Sequence, residues 1–198
     1  MSTFRTVFFA VILLGPSDSI FALSKSSQKI VDRYKNICDI SSRVIGEKTS
    51  PMLKRPMMVE YDFKSTQRGR NIIWKPDLPG VAGIEVKDGK LALSGNATQP
   101  AAMQDMVRGI AELIAAVSTA NMEELSKTMD IAESENSWEL VPKIGKSNMG
   151  RLKKLTVSFD DGAAIGSMKI EVGEDVTLLK FTKLLLSDCS GVTEGRKP

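Results

Sequence analysis

The chain has 198 residues and a formal charge of +3, from 27 Lys and Arg against 24 Asp and Glu, and it contains no histidine. Apolar residues make up 42% and aromatics 6%, which is enough for a core and excludes a disordered chain. Without an imidazole, Ser-His-Asp and Cys-His nucleophile systems and histidine zinc sites are excluded, and two cysteines cannot form an all-thiolate zinc site.

So weak a positive charge gives no basis for nucleic-acid binding. No G-x-x-x-x-G-K-[ST] or G-x-G-x-x-G stretch is present to cradle a phosphate. The expectation is a binding protein rather than an enzyme, with no metal and no cofactor.

In chain order, Arg5 precedes an apolar run from Val7 to Leu14, and Gly15 and Pro16 break it. This pattern, with Ala22 as the small residue before cleavage, predicts a secretory signal over residues 1–22. The run is far shorter than the ~18 residues of a membrane span. No cysteine follows it, so the expected product is a soluble exported protein without a lipid anchor. Export puts Cys38 and Cys189 in an oxidising compartment, where an even count predicts a bridge between the first helix and the C-terminal end. Two free buried thiols are the alternative.

Ile30, Val31, Tyr34, Ile37 and Cys38 recur at helical spacing, and Ser26 or Ser27 offers a cap. The pattern predicts a helix over Ser26 to Val44, ended by Gly46. Thr49 to Pro56 holds two prolines and reads as a loop. Met57, Val59, Tyr61 and Phe63 alternate with polar partners as a strand does. Gln67 to Arg70 turns the chain into a strand over Asn71 to Lys75. Val81 to Val86 and Lys90 to Leu93 flank Asp88-Gly89, a tight hairpin signal.

A helical block follows. After Pro100, Met103, Met106, Val107, Ile110, Leu113, Ile114 and Val117 keep a 3.6-residue period, and a short helix runs from Met122 to about Thr128. Strands then resume: Met129 to Glu133 with Trp138 to Pro142, Leu155 to Phe159, Met168 to Val172, and Val176 to Leu184. Asp160-Asp161-Gly162 is turn chemistry rather than an acid–base pair. Residues 187–198 are polar and read as a loose tail after a domain over 23–186. Asn96-Ala97-Thr98 is a chance match to a glycosylation acceptor. Lys143, Lys146, Arg151, Lys153 and Lys154 form a basic stretch, read as a solvated loop or as a patch for acidic headgroups or an acidic partner.

Short hairpins imply an antiparallel sheet, and three helices must cover one concave apolar face. Patterning does not say whether the interior is packed solid or held open. Ten methionines suit an adaptable apolar surface.

Three stretches carry a family resemblance. One is Arg68 to Pro76 with the later Asp88-Gly89-Lys90. Another is Trp138 to Lys143. The last is Leu155 to Gly162 with Thr177 to Phe181. In this order, after an export signal, they make residues 27–184 resemble the periplasmic outer-membrane lipoprotein carriers, the LolA-like proteins. The resemblance implies an α+β fold: an incomplete antiparallel β-barrel, a curved sheet of about nine to eleven strands, with an α-helical lid over a hydrophobic cavity. It implies a periplasmic monomer that carries lipoprotein acyl chains or related lipids from an inner-membrane donor to an outer-membrane acceptor. Such a protein is not an enzyme, and a sensor or regulatory module of the same fold is the alternative.

By the same resemblance, Arg68 stands where the family has an arginine that bonds lid backbone and helps hold the cavity shut. Gly69 replaces the family's proline, and Arg70 is the alternative for that role. The cavity candidates from the strands are Val59, Tyr61, Phe63, Ile72, Trp74, Leu91, Leu140, Val157, Phe159, Met168, Ile170 and Phe181. Those from the central helix are Met103, Met106, Ile110, Leu113 and Ile114. Each has ordinary core packing as its competing reading.

Overall fold

A computed structural model describes residues 23–78, 83–88, 90–94, 101–144, 151–161, 163–191 and 193–195. Residues 1–22, expected to be a signal, and Pro79, Gly89, Asn96-Ala97-Thr98, Pro100, Lys146 and Gly162 lie outside the described residues. Within them, three helices and eleven strands follow in the order α1 (Lys25–Tyr34), β1 (Ile37–Thr49), β2 (Met57–Thr66), β3 (Asn71–Pro76), β4 (Gly83–Lys87) and β5 (Lys90–Ser94). Then come α2 (Ala101–Ser118), α3 (Met122–Thr128), β6 (Met129–Ser134), β7 (Ser137–Pro142), β8 (Leu152–Phe159), β9 (Ile165–Val172), β10 (Asp175–Asp188) and β11 (Thr193–Gly195).

All pairings are antiparallel, in the order β5-β4-β3-β2-β1-β10-β9-β8-β7-β6. The path does not return on itself, so the barrel is incomplete, with β5 and β6 at its free edges. The long strands β1 and β10, of 13 and 14 residues, pair at the centre. One side of β10 is shared: β9 pairs with Asp175 to Lys180, and β11 with Leu185 to Ser187. Between these segments Lys183 takes a positive φ of 52°.

The first helix is much shorter than its spacing predicts, and β1 begins three residues after it ends. The cause is a bulge. Register shifts between Ile37 and Asp39, so Ile37 and Ile40, three apart, both turn inward. That spacing imitates a helix. From Ile40 onward the buried positions are Ile40, Ser42, Val44 and Gly46, at the period of a strand. Gly46 does not end a helix but lies inside β1, where a Cβ would meet Tyr61 Cε2 at 2.8 Å. The helix cap is Ser24, whose Oγ accepts from Ser27 N at 3.2 Å. The expected loose tail is partly strand, since β10 continues to Asp188 and β11 adds to it.

Cys38 and Cys189 form a disulfide, and it joins β1 to the residue after β10 rather than starting from a helix. Main-chain bonds tighten the same end: Cys189 N donates to Asn36 O at 2.9 Å, and Arg68 N to Cys38 O at 2.9 Å.

Helix α1 plugs this end of the barrel. Its apolar residues Ile30 and Tyr34 are buried, and so is Ser27. The polar atoms this brings inside are satisfied. Trp138 Nε1 donates to Ser27 Oγ at 2.9 Å, and Ile165 N donates to Tyr34 Oη at 3.0 Å. Burial pushes the Tyr34 phenol up to about 12, so it stays neutral at any ordinary pH. The neighbouring Glu133 is raised by burial, but bonds from Ser24 and Ser27 outweigh this and hold it below the usual carboxylate range.

Candidate functional site

The space between the sheet and α2 is not filled. Ile72 and Trp74 of β3, Ile84 of β4, Ile110 and Ile114 of α2, Ile170 of β9 and Leu179 of β10 enclose an apolar cavity of about 150 Å³. Seven side chains from both wings of the sheet and from the covering helix thus face one space, and none carries a charge.

Strand alternation explains how the wall is built. On β3, Ile72 and Trp74 are buried while Ile73 between them is exposed. Trp74 pairs across the ladder with Ile84 and Phe63. Its indole is fixed by edge contacts, with ring centroids 5.1 Å from Phe63, 5.5 Å from Tyr61 and 6.4 Å from Phe181. The floor of the cavity is therefore rigid. Next to it Gly46 lets Tyr61 and Leu179 lie against the β1 backbone.

The roof is α2. Leu113, Ala116, Val117 and the following Ala120 are buried, while Ile110 is only half-buried. Gly69, at a φ of 83°, brings the β2–β3 turn onto the C-terminal part of α2, where a Cβ would lie 3.4 Å from Ala115 Cβ and Thr119 Cγ2. Position 69 thus combines a close approach with a left-handed backbone, and both favour glycine.

Of the cavity candidates, Ile72, Trp74, Ile110, Ile114 and Ile170 line the space. Phe63 and Phe181 support Trp74 from beneath, and Tyr61 and Val59 flank Gly46. Leu140, Val157, Phe159, Met168 and Leu113 do not line it. They are buried in solid core, the first four in the part of the sheet around Trp138, which is 4.7 Å from Phe159 between ring centroids. The backbones of Leu91, Met103 and Met106 lie in β5 and α2, and their side chains are outside the described residues. Ile84 and Leu179 complete the lining and are not among the sequence candidates. Alternation could have found both, because Leu179 stands two residues before Phe181 on β10 and Ile84 two before Val86 on β4.

Arg68 donates from its guanidinium to Lys35 O, the cap carbonyl of α1. It therefore ties the β2–β3 turn to α1, the plug, and not to α2, the roof. Arg70 is exposed, with no side-chain hydrogen bond or ion pair among the described residues. Two residues of the basic stretch are held by the fold, Lys143 donating to Ser126 O at 2.6 Å and Lys154 pairing with Glu139 at 3.1 Å, while Arg151 and Lys153 are exposed. Asp160 plays a turn role, accepting from Ala164 N at 2.8 Å.

A larger depression, about 810 Å³, is open to solvent on the outer face of β1 and β2. Its lining mixes the charged Arg43, Glu60, Asp62, Lys64 and Lys183 with Ile45 and Phe63, and Arg43 there is held by Glu60, Asp62 and Asp77. Among the described residues, no group of His, Cys, Asp or Glu is placed to hold a metal ion, and no helix is long and apolar enough to cross a membrane.

No protein-family model and no curated protein matches the sequence. Solved structures similar to it include a LolA superfamily protein from Nitrosomonas europaea, at 12% identity and a TM-score of 0.45, over 84% of this chain and 95% of that one. A putative outer membrane lipoprotein-sorting protein domain from Vibrio parahaemolyticus is similar at 10% identity and a TM-score of 0.43, over 81% and 90%. Lipoprotein LppX from Mycobacterium tuberculosis is similar at 10% identity and a TM-score of 0.34, over 80% and 92%. The functional reading rests on the cavity itself.

Proposed function

We propose that the protein is a carrier that binds acyl chains of lipoproteins or related lipids between its sheet and α2, and moves them through the periplasm toward the outer membrane. The observation that carries this reading is the uncharged cavity, walled by β3, β4, β9, β10 and α2. An acyl chain in water costs about 0.8 kcal/mol for each exposed CH₂, and an apolar hollow removes that cost without covalent chemistry.

The closed volume sets a condition. A cavity of about 150 Å³ with apolar walls has room for a solute the size of benzene, whereas drug-sized ligands occupy about 300–1,000 Å³. A whole acyl chain therefore requires α2 to lift. Its deeply buried C-terminal turns serve as the hinge, and the part around Ile110 moves.

The test is uptake of a fluorescent fatty acid, with native mass spectrometry of the purified protein for lipid that travels with it. Ile114→Trp fills the hollow from α2 and is expected to abolish uptake while the protein stays folded by circular dichroism. A wild-type protein that takes up no acyl probe, or an Ile114→Trp variant that takes it up unchanged, overturns the reading.

A further inference from the structure

Among the described residues, nine large apolar side chains are exposed, and they are not scattered. Four belong to the β1–β2 connection and its exit: Met52, Leu53, Met57 and Met58. Met52 is 93% exposed and stands at the tip of a turn closed by Leu53 N donating to Ser50 O at 3.0 Å. Leu78 follows β3, and Val141 and Ile144 lie at the end of β7.

The pairings put these three segments at one end of the barrel. Lys48 pairs with Met57 and Thr177, Thr177 with Ile170, Ile170 with Leu155, and Leu155 with Leu140, just before Val141. Leu78 comes two residues after Pro76, which pairs with Tyr61. This is the end away from α1 and the disulfide. Part of the cavity wall reaches toward it: Leu179 pairs with Gly46, three residues or roughly 10 Å before the loop, while Ile72, in register with Ser65, stands toward the other end. The other two exposed apolar residues, Ile73 and Leu185, stand singly on outward positions of β3 and β10.

Charge identifies what this rim would meet. Residues 50–58 contain Lys54 and Arg55 and no acidic residue. Neither cation has an ion-pair partner among the described residues, whereas nearby Lys48 is paired with Asp175 at 2.9 Å. Projecting methionine and leucine backed by free cations suit the boundary between acyl chains and anionic headgroups: the apolar tips enter and the cations stay with the phosphates. Methionine adapts to an irregular apolar environment, and Pro51 and Pro56 stiffen the loop that presents it.

We propose that the β1–β2 loop docks on an anionic lipid bilayer and sets this end of the barrel against it. The purpose of such docking rests on the carrier reading, but the docking itself is measured separately. Met52→Cys, labelled with an environment-sensitive fluorophore without reduction, is expected to shift to the blue with phosphatidylglycerol–phosphatidylcholine vesicles. The same label at Ile73→Cys is expected to stay unchanged. Lys54→Gln with Arg55→Gln should weaken vesicle partitioning roughly thirtyfold, and added salt should weaken the wild type.

Docking is overturned if the Met52 label does not respond to anionic vesicles, or responds equally to neutral ones whatever stands at 54 and 55. It is also overturned if the shift follows protein concentration alone, which would assign the loop to a second copy of the chain. Fatty-acid uptake by the Lys54→Gln, Arg55→Gln variant separates the two readings. Intact uptake with lost docking supports the loop assignment, and lost uptake with intact docking counts against the cavity alone.

Discussion

Two regions of the barrel use the same kind of alternating strand and differ in what lies between the strands and the helices. At one end α1 inserts Ile30 and Tyr34, Trp138 and Phe159 pack edge to face, and a disulfide and the Arg68–Lys35 bond close the chain around them. Between the sheet and α2, Ile72, Ile84, Ile110, Ile114, Ile170 and Leu179 stop short of one another and leave a hollow beside Trp74. Side chains with satisfied polar groups fill the first region, and six branched aliphatic chains with Trp74 line the second. On the carrier reading, this separation lets the chain hold its shape while giving up space to a ligand.

The largest expected effect falls on the closed end. Replacing Cys38 and Cys189 with serine releases a constraint that spans a sequence separation of 151, worth about 5 kcal/mol in the chain-entropy model. Denaturant unfolding of the oxidised and cysteine-free proteins measures it. A difference below about 1 kcal/mol would mean that the α1 end is held by packing alone.

A pair of truncations sharpens the contrast. Trp138→Ala should cost about 3–5 kcal/mol, because it empties a filled site and removes the indole donor from Ser27 Oγ. Ile114→Ala should cost about 2 kcal/mol, the low end for such a change, because its neighbours already border a void. It should also enlarge the hollow and strengthen uptake of a bulky acyl probe. Equal costs at the two positions, measured by denaturant unfolding, would erase the distinction.

The smallest effect is electrostatic. The Glu133 carboxyl is held below its ordinary value in the folded chain, so its contribution to stability is present above that ordinary value and lost as pH falls through the folded one. Glu133→Gln should lower Tm slightly at neutral pH, by an amount worth under about 1 kcal/mol for so accessible a group, and the gap should close in acid. A gap that widens in acid would mean that burial, not the serine bonds, sets this carboxyl.

Much of the fold was legible in the sequence. The hairpins from β2 to β5 and from β6 to β10 follow from alternation and turn residues, and α2 and α3 from helical spacing. β1 was not, because its bulge spaces Ile37 and Ile40 like a helix. The α1 plug was not, because its partners Trp138 and Ile165 stand 111 and 131 residues away. The hollow was least legible of all. Met168 and Ile170 are two residues apart on one strand, and one is sealed in core while the other borders empty space. Periodicity reports which way a side chain points and carries no information about what meets it there.

The central ladder has a mechanical consequence. β1 and β10 are the longest strands, paired along most of their length and clamped near one end by the disulfide. They form a stiff spine from which two wings of shorter strands extend to unjoined margins at β5 and β6. On the proposed carrier reading, strain from a bound acyl chain would concentrate at those margins, as in a book held by its binding, and the covers would part while the spine stays straight.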